Sequence, residues 1–319
     1  MGPAFPCDFS AVVSGYSGRV PTPWWLSHVA ALELPVVLDQ LSLSVLWNLN
    51  EGLRFVRSNV QPELRAQDEA TTPGASLRWS AFLSREALVR AALSTATALE
   101  LTSIRTGGRS PEAFRAHWEA LGFVSHVARD GTPADDYLDA LFLTSRLSFV
   151  SSDAPLANVN LASRASRVSD FLSVSEPGRA DVVFDLGSGS GKLALTVAAS
   201  SVTTVQGVEL LQSAVDEANS SALALGLQNV AFHRADVRDV DLSAGTVFYL
   251  YFPFRGEVAS SVAAMLGTLA REKDITVYAS GPERDYGEYF SREVDRGALH
   301  LVERRGEFGE VMVLRGVRA

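Results

Sequence analysis

The 319-residue sequence predicts an α/β protein. The expected fold is a doubly wound, mostly parallel sheet that ends in an antiparallel hairpin, preceded by a mostly α-helical N-terminal domain. Three observations carry this. Before about residue 150 the apolar residues recur at helical spacing, and all five tryptophans lie before residue 120. From Asp181 onward short β-rich runs alternate with helical patterns, the rhythm of a parallel sheet covered by helices. Near the end, two strand-like runs are separated by a Gly306–Gly309 turn and no helix, so the last pair is antiparallel.

The elements follow in order. Val37, Leu41, Leu43, Val45, Leu46, Leu49, Leu53 and Val56 trace one helical face, and Leu83, Leu88, Ala91, Leu93 and Ala98 a second. Ser110-Pro111-Glu112 and Thr132-Pro133-Ala134-Asp135 each combine an N-cap residue, a proline at the first helical position and an early acid, which start helices. Thr72-Pro73-Gly74, Gly107-Gly108 and Gly131 break the pattern between helices. Strands are expected at 181–186, 203–210, 229–235, 246–252 and 275–280, with helices at 192–200, 212–225 and 257–271. The closing strands are expected at 299–304 and 311–314. Residues 1–155 are read as the helical domain and 156–319 as the sheet domain.

Composition narrows the function. The chain is 47% hydrophobic and 20% charged, ordinary for a globular protein and unlike disordered or low-complexity chains. It holds 28 basic and 37 acidic residues, and only Lys192 and Lys273 are lysines. That balance disfavours nucleic-acid binding through a broad basic surface. The single cysteine, Cys7, excludes an internal disulfide and a cysteine-built metal cluster. The five histidines, His28, His117, His126, His233 and His300, form no ligand-spaced pair, so no metal is expected. The longest uncharged, apolar-leaning stretch, Leu193 to Val208, is interrupted by Ser200, Ser201, Thr203 and Thr204. It falls short of the roughly 18 apolar residues of a membrane span. The first ten residues show no targeting pattern, and the expected compartment is the cytoplasm.

The most informative segment is Asp185-Leu186-Gly187-Ser188-Gly189-Ser190-Gly191-Lys192. A buried strand runs into a glycine-rich turn, and a helix follows at once. Glycines there let a ligand approach the backbone closely. The spacing is G-x-G-x-G, neither the dinucleotide fingerprint nor the phosphate loop, and Lys192 lacks the Ser/Thr of the latter. Three acids close successive strands: Asp185, Glu209 and Asp236. Ligands of open parallel sheets bind at those carboxyl ends. Three carboxylates suit a ligand with a ribose diol, an exocyclic amine and a cationic centre, and they repel a pyrophosphate.

From Ala165 onward the chain resembles the class I, Rossmann-like S-adenosylmethionine-dependent methyltransferases. The resemblance rests on the Asp185–Gly191 loop, Gly207-Val208-Glu209, Arg234-Ala235-Asp236, Leu250-Tyr251-Phe252-Pro253-Phe254 and the closing hairpin, in that order. It implies S-adenosylmethionine as cofactor, with S-adenosylhomocysteine as product. The contacts it implies are Asp185 to the amino-acid part, Gly187, Ser188, Gly189 and Gly191 beneath the cofactor, and Glu209 and Leu210 at the ribose. Asp236 and Val237 would read the adenine amine, and Tyr251 would close the site.

The acceptor side is read from Tyr251, Phe252, Pro253 and Phe254. Nucleobase amino-methylating enzymes often carry Asn/Asp-Pro-Pro-Tyr/Phe here, and this chain lacks the amide or carboxylate. The glycine loop is closest to that of the non-SET histone-lysine type, which has an Asn-Phe-Ala-Phe-like stretch where this chain has Tyr251. No general base is assigned. A phenol is a poor base at neutral pH, so Tyr251 is given acceptor positioning. The expected reaction is methyl transfer to an oxygen or nitrogen atom of a small-molecule acceptor, with the tryptophan-rich helical domain as lid and substrate domain. A protein (lysine-type) methyltransferase and a non-catalytic cofactor-binding module are the alternatives. A more distant alternative is an aminopropyl-transferring relative.

Overall fold

The structure, a computed structural model, describes residues 38–59, 75–124, 132–142, 162–281, 283–305 and 311–316. The chain divides into two compact units, one of Met1–Glu100 with Leu121–Ala140 and one of Leu101–Ala120 with Leu141–Ala319. The boundary at 155/156 drawn from the sequence lies outside the described residues.

The first unit is helical in its described residues. It contains α1 (Leu43–Asn59), most of α2 (Ala75–Arg105) and most of α4 (Pro133–Phe142). Leu43, Leu46, Trp47 and Leu53 form the buried stripe of α1. Glu86 is buried in α2, and its carboxylate is held by Arg57 at 3.1 Å and Arg90 at 2.8 Å. The start of α4 follows its sequence signal. The Thr132 hydroxyl accepts the Asp135 amide at 3.1 Å, and the Asp135 carboxylate accepts the Thr132 amide and hydroxyl in return.

The second unit is built on a seven-stranded sheet of order β3-β2-β1-β4-β5-β7-β6. The strands are β1 (Val182–Leu186), β2 (Thr204–Glu209), β3 (Val230–Arg234), β4 (Val247–Tyr251), β5 (Ile275–Ser280), β6 (His300–Arg305) and β7 (Val311–Gly316). The first five run parallel, and β7 lies antiparallel to both β5 and β6. The expected hairpin is therefore present, with its second strand inserted beside β5 and its first strand left at the sheet edge.

Helices cover both faces. On one face α8 (Gly256–Glu272) and α9 (Glu283–Asp295) bury Phe184, Leu186, Phe248, Leu250, Val277 and Leu314 in one apolar cluster. The opposite face carries α5 (Ala165–Ser175) and α6 (Lys192–Ser200), with α7 (Gln212–Leu225) against β3 and β2. Phe171 of α5 meets the rings of Tyr249 and Tyr278 edge-on, and those two rings stack on each other at 5.5 Å. The sequence reading assigned no helix at α5 or α9. Both are short and polar, and each buries only a few residues such as Phe171, Leu172 and Phe290.

Besides α5, a second helix that precedes the sheet belongs to this unit. In α3 (Pro111–Ala120), capped by the Ser110 hydroxyl on the Ala113 amide, Phe114 and Trp118 are buried. The Trp118 indole N–H donates to Ser200 at the end of α6, and Ser169 of α5 donates to Glu119 at 2.7 Å. The tryptophan farthest along the chain is thus part of the layer over the sheet. Trp24 and Trp25 lie outside the described residues.

Candidate functional site

The glycine turn is tied down before any ligand is considered. The Gly187 and Ser188 amides both donate to the Val208 carbonyl, at 2.8 and 3.0 Å, which fixes the loop to the end of β2. Gly187 has φ +83°, and a Cβ there would overlap Pro253 of the β4–α8 turn. Only glycine meets both demands. Gly189 and Gly191 are also left-handed, and Gly191 caps α6. Lys192 is 4% exposed, sealed into the first turn of α6 and not presented as a phosphate grip. The Ser188 hydroxyl is buried in this loop without a hydrogen-bond partner.

The three acids stand at neighbouring strand ends in different environments. Asp185 is 3% exposed. Burial lifts its carboxyl to about 7, against the stabilising amide of Ala194 in α6 and with a further push from the nearby Glu209 charge. Glu209 is half-buried and organises backbone. Its Oε2 accepts the Gly189 amide at 2.9 Å, and its Oε1 accepts the Leu210 and Leu211 amides at 2.7 and 2.9 Å. Asp236 caps the short 3₁₀ turn Val237–Asp239 and accepts the Arg238 amide at 3.0 Å. Arg238 also forks onto both of its oxygens, at 3.0 and 2.7 Å. The hydrogen bond from that guanidinium holds the Asp236 carboxyl below the ordinary carboxylate range.

On the β4–β5 side the strand residues aligned with Asp185 are uncharged. Register aligns Asp185 with Tyr249, Tyr249 with Tyr278, and Tyr251 with Ser280. By strand alternation all of these share the α5–α6 face. The Tyr249 hydroxyl is engaged with Ser163 at 2.9 Å, and the Tyr278 hydroxyl donates to Asp170 of α5 at 2.6 Å. Arg305 of β6 pairs with the same Asp170. Burial pushes both phenols upward, so each is a neutral structural group. Beyond Tyr251 the chain turns through Phe252, whose φ is +44°, into Pro253 and the buried Phe254.

The structure brings the sequence-read loop, Asp185, Glu209 and the Tyr251–Phe254 turn to one edge of one sheet, with Pro253 seated against Gly187. Asp236 and Val237 follow β3 at the same edge. Leu210 is exposed beside Glu209. The sequence reading missed the Arg238 fork on Asp236, the Ser163–Tyr249 pair and Ser280. The signal for Ser280 was available, because it ends a parallel strand on the face that Asp185 shares. Of the histidines, His233 contacts Gln206 at 2.5 Å on the exposed side of β3, and His300 is exposed on β6. His28 and His126 lie outside the described residues.

Residues 183–271 match the family model described as a methyltransferase domain. That stretch runs from β1 to the last turn of α8. Similar solved structures include an RNA methyltransferase from Salinibacter ruber in complex with S-adenosyl-L-homocysteine, at 20% identity and TM-score 0.36, covering 49% of this chain and 92% of that one. TrmN from Thermus thermophilus is similar at 20% identity and TM-score 0.38, over 47% of this chain and 48% of that one. A precorrin-6y C5,15-methyltransferase from Geobacter metallireducens is similar at 12% identity and TM-score 0.40, over 53% and 95%. The sheet has the class I, Rossmann-like methyltransferase arrangement, with five parallel strands and an antiparallel closing pair.

Proposed function

We propose that the chain is an S-adenosylmethionine-dependent methyltransferase that acts on an oxygen or nitrogen atom of a small-molecule acceptor. One observation carries the cofactor. Three acids stand at or just beyond the carboxyl ends of the neighbouring strands β1, β2 and β3, and the middle one, Glu209, clamps the glycine turn through the Gly189 amide. The residues fit the group. The glycine turn presents left-handed backbone at Gly187, Gly189 and Gly191, Asp185 is a desolvated acid suited to a cationic amine, and Glu209 suits a diol. Asp236 suits an exocyclic amine, and the buried Ser188 hydroxyl is an unused donor and acceptor in the loop. The methyltransferase-domain match over residues 183–271 supports the same reading.

Each residue has a task set by its surroundings. Asp185 would hold an ammonium group as its carboxylate, the opposite charge offsetting the desolvation and the carboxyl proton passing to solvent. Glu209 holds the loop and the start of α7 in one arrangement while its remaining lone pairs accept hydroxyls. Arg238 fixes the direction of the Asp236 carboxylate. When bound, the cofactor supplies a methyl group activated on a positively charged sulfur. The Tyr251–Phe254 turn, packed onto Gly187 through Pro253, would exclude water beside the loop. Catalysis here rests on proximity and orientation, with no protein base assigned.

The test begins with titration calorimetry. S-adenosylhomocysteine should bind and raise the melting temperature, and NAD should do neither. Radiolabelled S-adenosylmethionine incubated with protein and cell extract, followed by separation of small molecules, protein and nucleic acid, then locates the acceptor. Label in small molecules is the expected result. Label in protein would establish the lysine-type alternative, and tight binding with no label in any fraction would favour a cofactor-binding module.

A further inference from the structure

Asp185 suits only one half of the cofactor's amino-acid end. That end carries an ammonium group and a carboxylate. The carboxylate is repelled by Asp185 and Glu209 and needs a cation close to the end of β1. The described cations at the carboxyl edge differ by place. Arg234 ends β3 and Arg238 follows it, two strands from β1, and Arg238 is engaged by Asp236. Lys192 is sealed into the first turn of α6. Arg255 caps α8, on the face opposite Asp185. Arg164 stands at the N-cap of α5, on the Asp185 face.

Three observations bring Arg164 to the end of β1. The first is topological. Only residues 176–181 join α5 to β1, and Gly178 and Asp181 close that link into a tight turn. The C-terminus of α5 therefore lies at the amino edge of the sheet. Its N-terminus, about 16 Å along the axis, reaches the carboxyl edge. The second is a contact. Ser163, directly before Arg164, meets the Tyr249 hydroxyl at 2.9 Å, and Tyr249 is the register partner of Asp185. Burial pushes that phenol upward, and the nearby Asp185 charge adds to the push. The third is helical spacing. Val168 and Phe171 bury the sheet-facing row of α5, and Arg164 precedes them by four and seven residues, so it continues the same row. Where the row passes the packed core, an exposed arginine takes the apolar place.

We infer that Arg164 binds the carboxylate of the cofactor's amino-acid end, while Asp185 holds the ammonium group. The inference rests on the methyl-transfer reading above and deepens it by naming the form of cofactor the site takes. A guanidinium offers a carboxylate two parallel N–H donors and stays charged at working pH. The positive end of the α5 dipole adds to it. The site therefore selects a cofactor with its amino acid intact. It discriminates against the decarboxylated form, which an aminopropyl-transferring relative would need because an aminopropyl group carries no carboxylate.

The experiment is titration calorimetry on the full chain with S-adenosylhomocysteine and with decarboxylated S-adenosylhomocysteine, which keeps the ammonium group. Wild type should prefer the intact ligand by about tenfold. Arg164→Gln should lose about tenfold in affinity for the intact ligand and keep its affinity for the decarboxylated one. Without ligand it should melt with wild type, because the side chain is exposed. A loss that falls equally on both ligands would show a structural effect and overturn the inference. So would a loss, or a wild-type preference, smaller than about threefold, with the cofactor site left standing. Wild-type protein that binds neither ligand refutes the methyl-transfer reading itself.

Discussion

The carboxyl edge of the sheet has two halves built on opposite principles. The β1–β3 half is charged and already engaged: Glu209 holds three backbone amides, Asp236 is forked by Arg238, and Asp185 is desolvated against the α6 amide of Ala194. In the β4–β5 half the strand-end residues Tyr251 and Ser280 are uncharged, the turn that follows holds Phe252 at φ +44°, and the Ser280 hydroxyl has no partner among the described residues. The difference teaches where specificity resides. In the proposed reading a cofactor with an ammonium group and many polar atoms would be matched by fixed charges that have their own supports, and the acceptor would lie toward the other half.

Four substitutions break or sharpen that contrast. Gly187→Ala strikes the seam between the halves, where a Cβ meets Pro253 and the backbone is left-handed. It should cost about 2–4 kcal/mol of stability and abolish measurable S-adenosylhomocysteine binding in calorimetry. Wild-type-like binding by this variant would show that the two halves are not joined there.

Asp185→Asn probes the buried charge. The carboxyl moves from an ordinary 3.8 to about 7 on folding, so the native state holds its proton more tightly than the unfolded chain does. That contribution to stability is complete below about pH 4 and is lost as pH rises to about 7, by roughly 4 kcal/mol at most. Asn mimics the protonated acid. The variant should melt above wild type at pH 8 and converge with it near pH 4, while binding S-adenosylhomocysteine at least tenfold more weakly. Parallel melting curves across that range would mean the carboxyl is not desolvated.

Glu209→Gln leaves an amide oxygen for the backbone but removes the charge. Affinity for S-adenosylhomocysteine in calorimetry should fall about tenfold, near 1.4 kcal/mol. Arg238→Ala is the mildest, because the fork on Asp236 is solvent-exposed. Calorimetry should show a loss under fivefold, and a gain in affinity would reveal Arg238 as a competitor for Asp236 instead of its support.

Much of the edge was legible because its signals are local. The glycine turn, the acids that close β1, β2 and β3, and the caps at Ser110 and Thr132 all lie within a few residues of the structure they specify. The helices α5 and α9 were not legible. Ala165–Ser175 contains four serines, Glu283–Asp295 is crowded with charge around Gly287, and neither declares itself without the sheet face it packs on. The same limit applies to α3. By sequence it belongs with the helices before residue 155, yet Trp118 and Glu119 bond to α6 and α5 in the sheet unit. A truncation near Asn158 would therefore strip α3 from that unit as well as removing the helical one.

By itself the sequence determined the alternation of strands and helices, the carboxyl edge at which the three acids gather, and the glycine turn after β1. These depend on periodicity, turn chemistry and spacing, which act over one or two turns of chain. Tertiary structure decided which strand β7 joins, how far Asp185 is desolvated, that Arg238 claims Asp236, and that Ser280 is buried without a partner. Each of those depends on groups distant in sequence, or on side-chain geometry that spacing does not specify. Apart from the Asp236–Arg238 pair, two residues apart, they follow from long-range packing, where a pairing exists only once the sheet has brought its members to one edge.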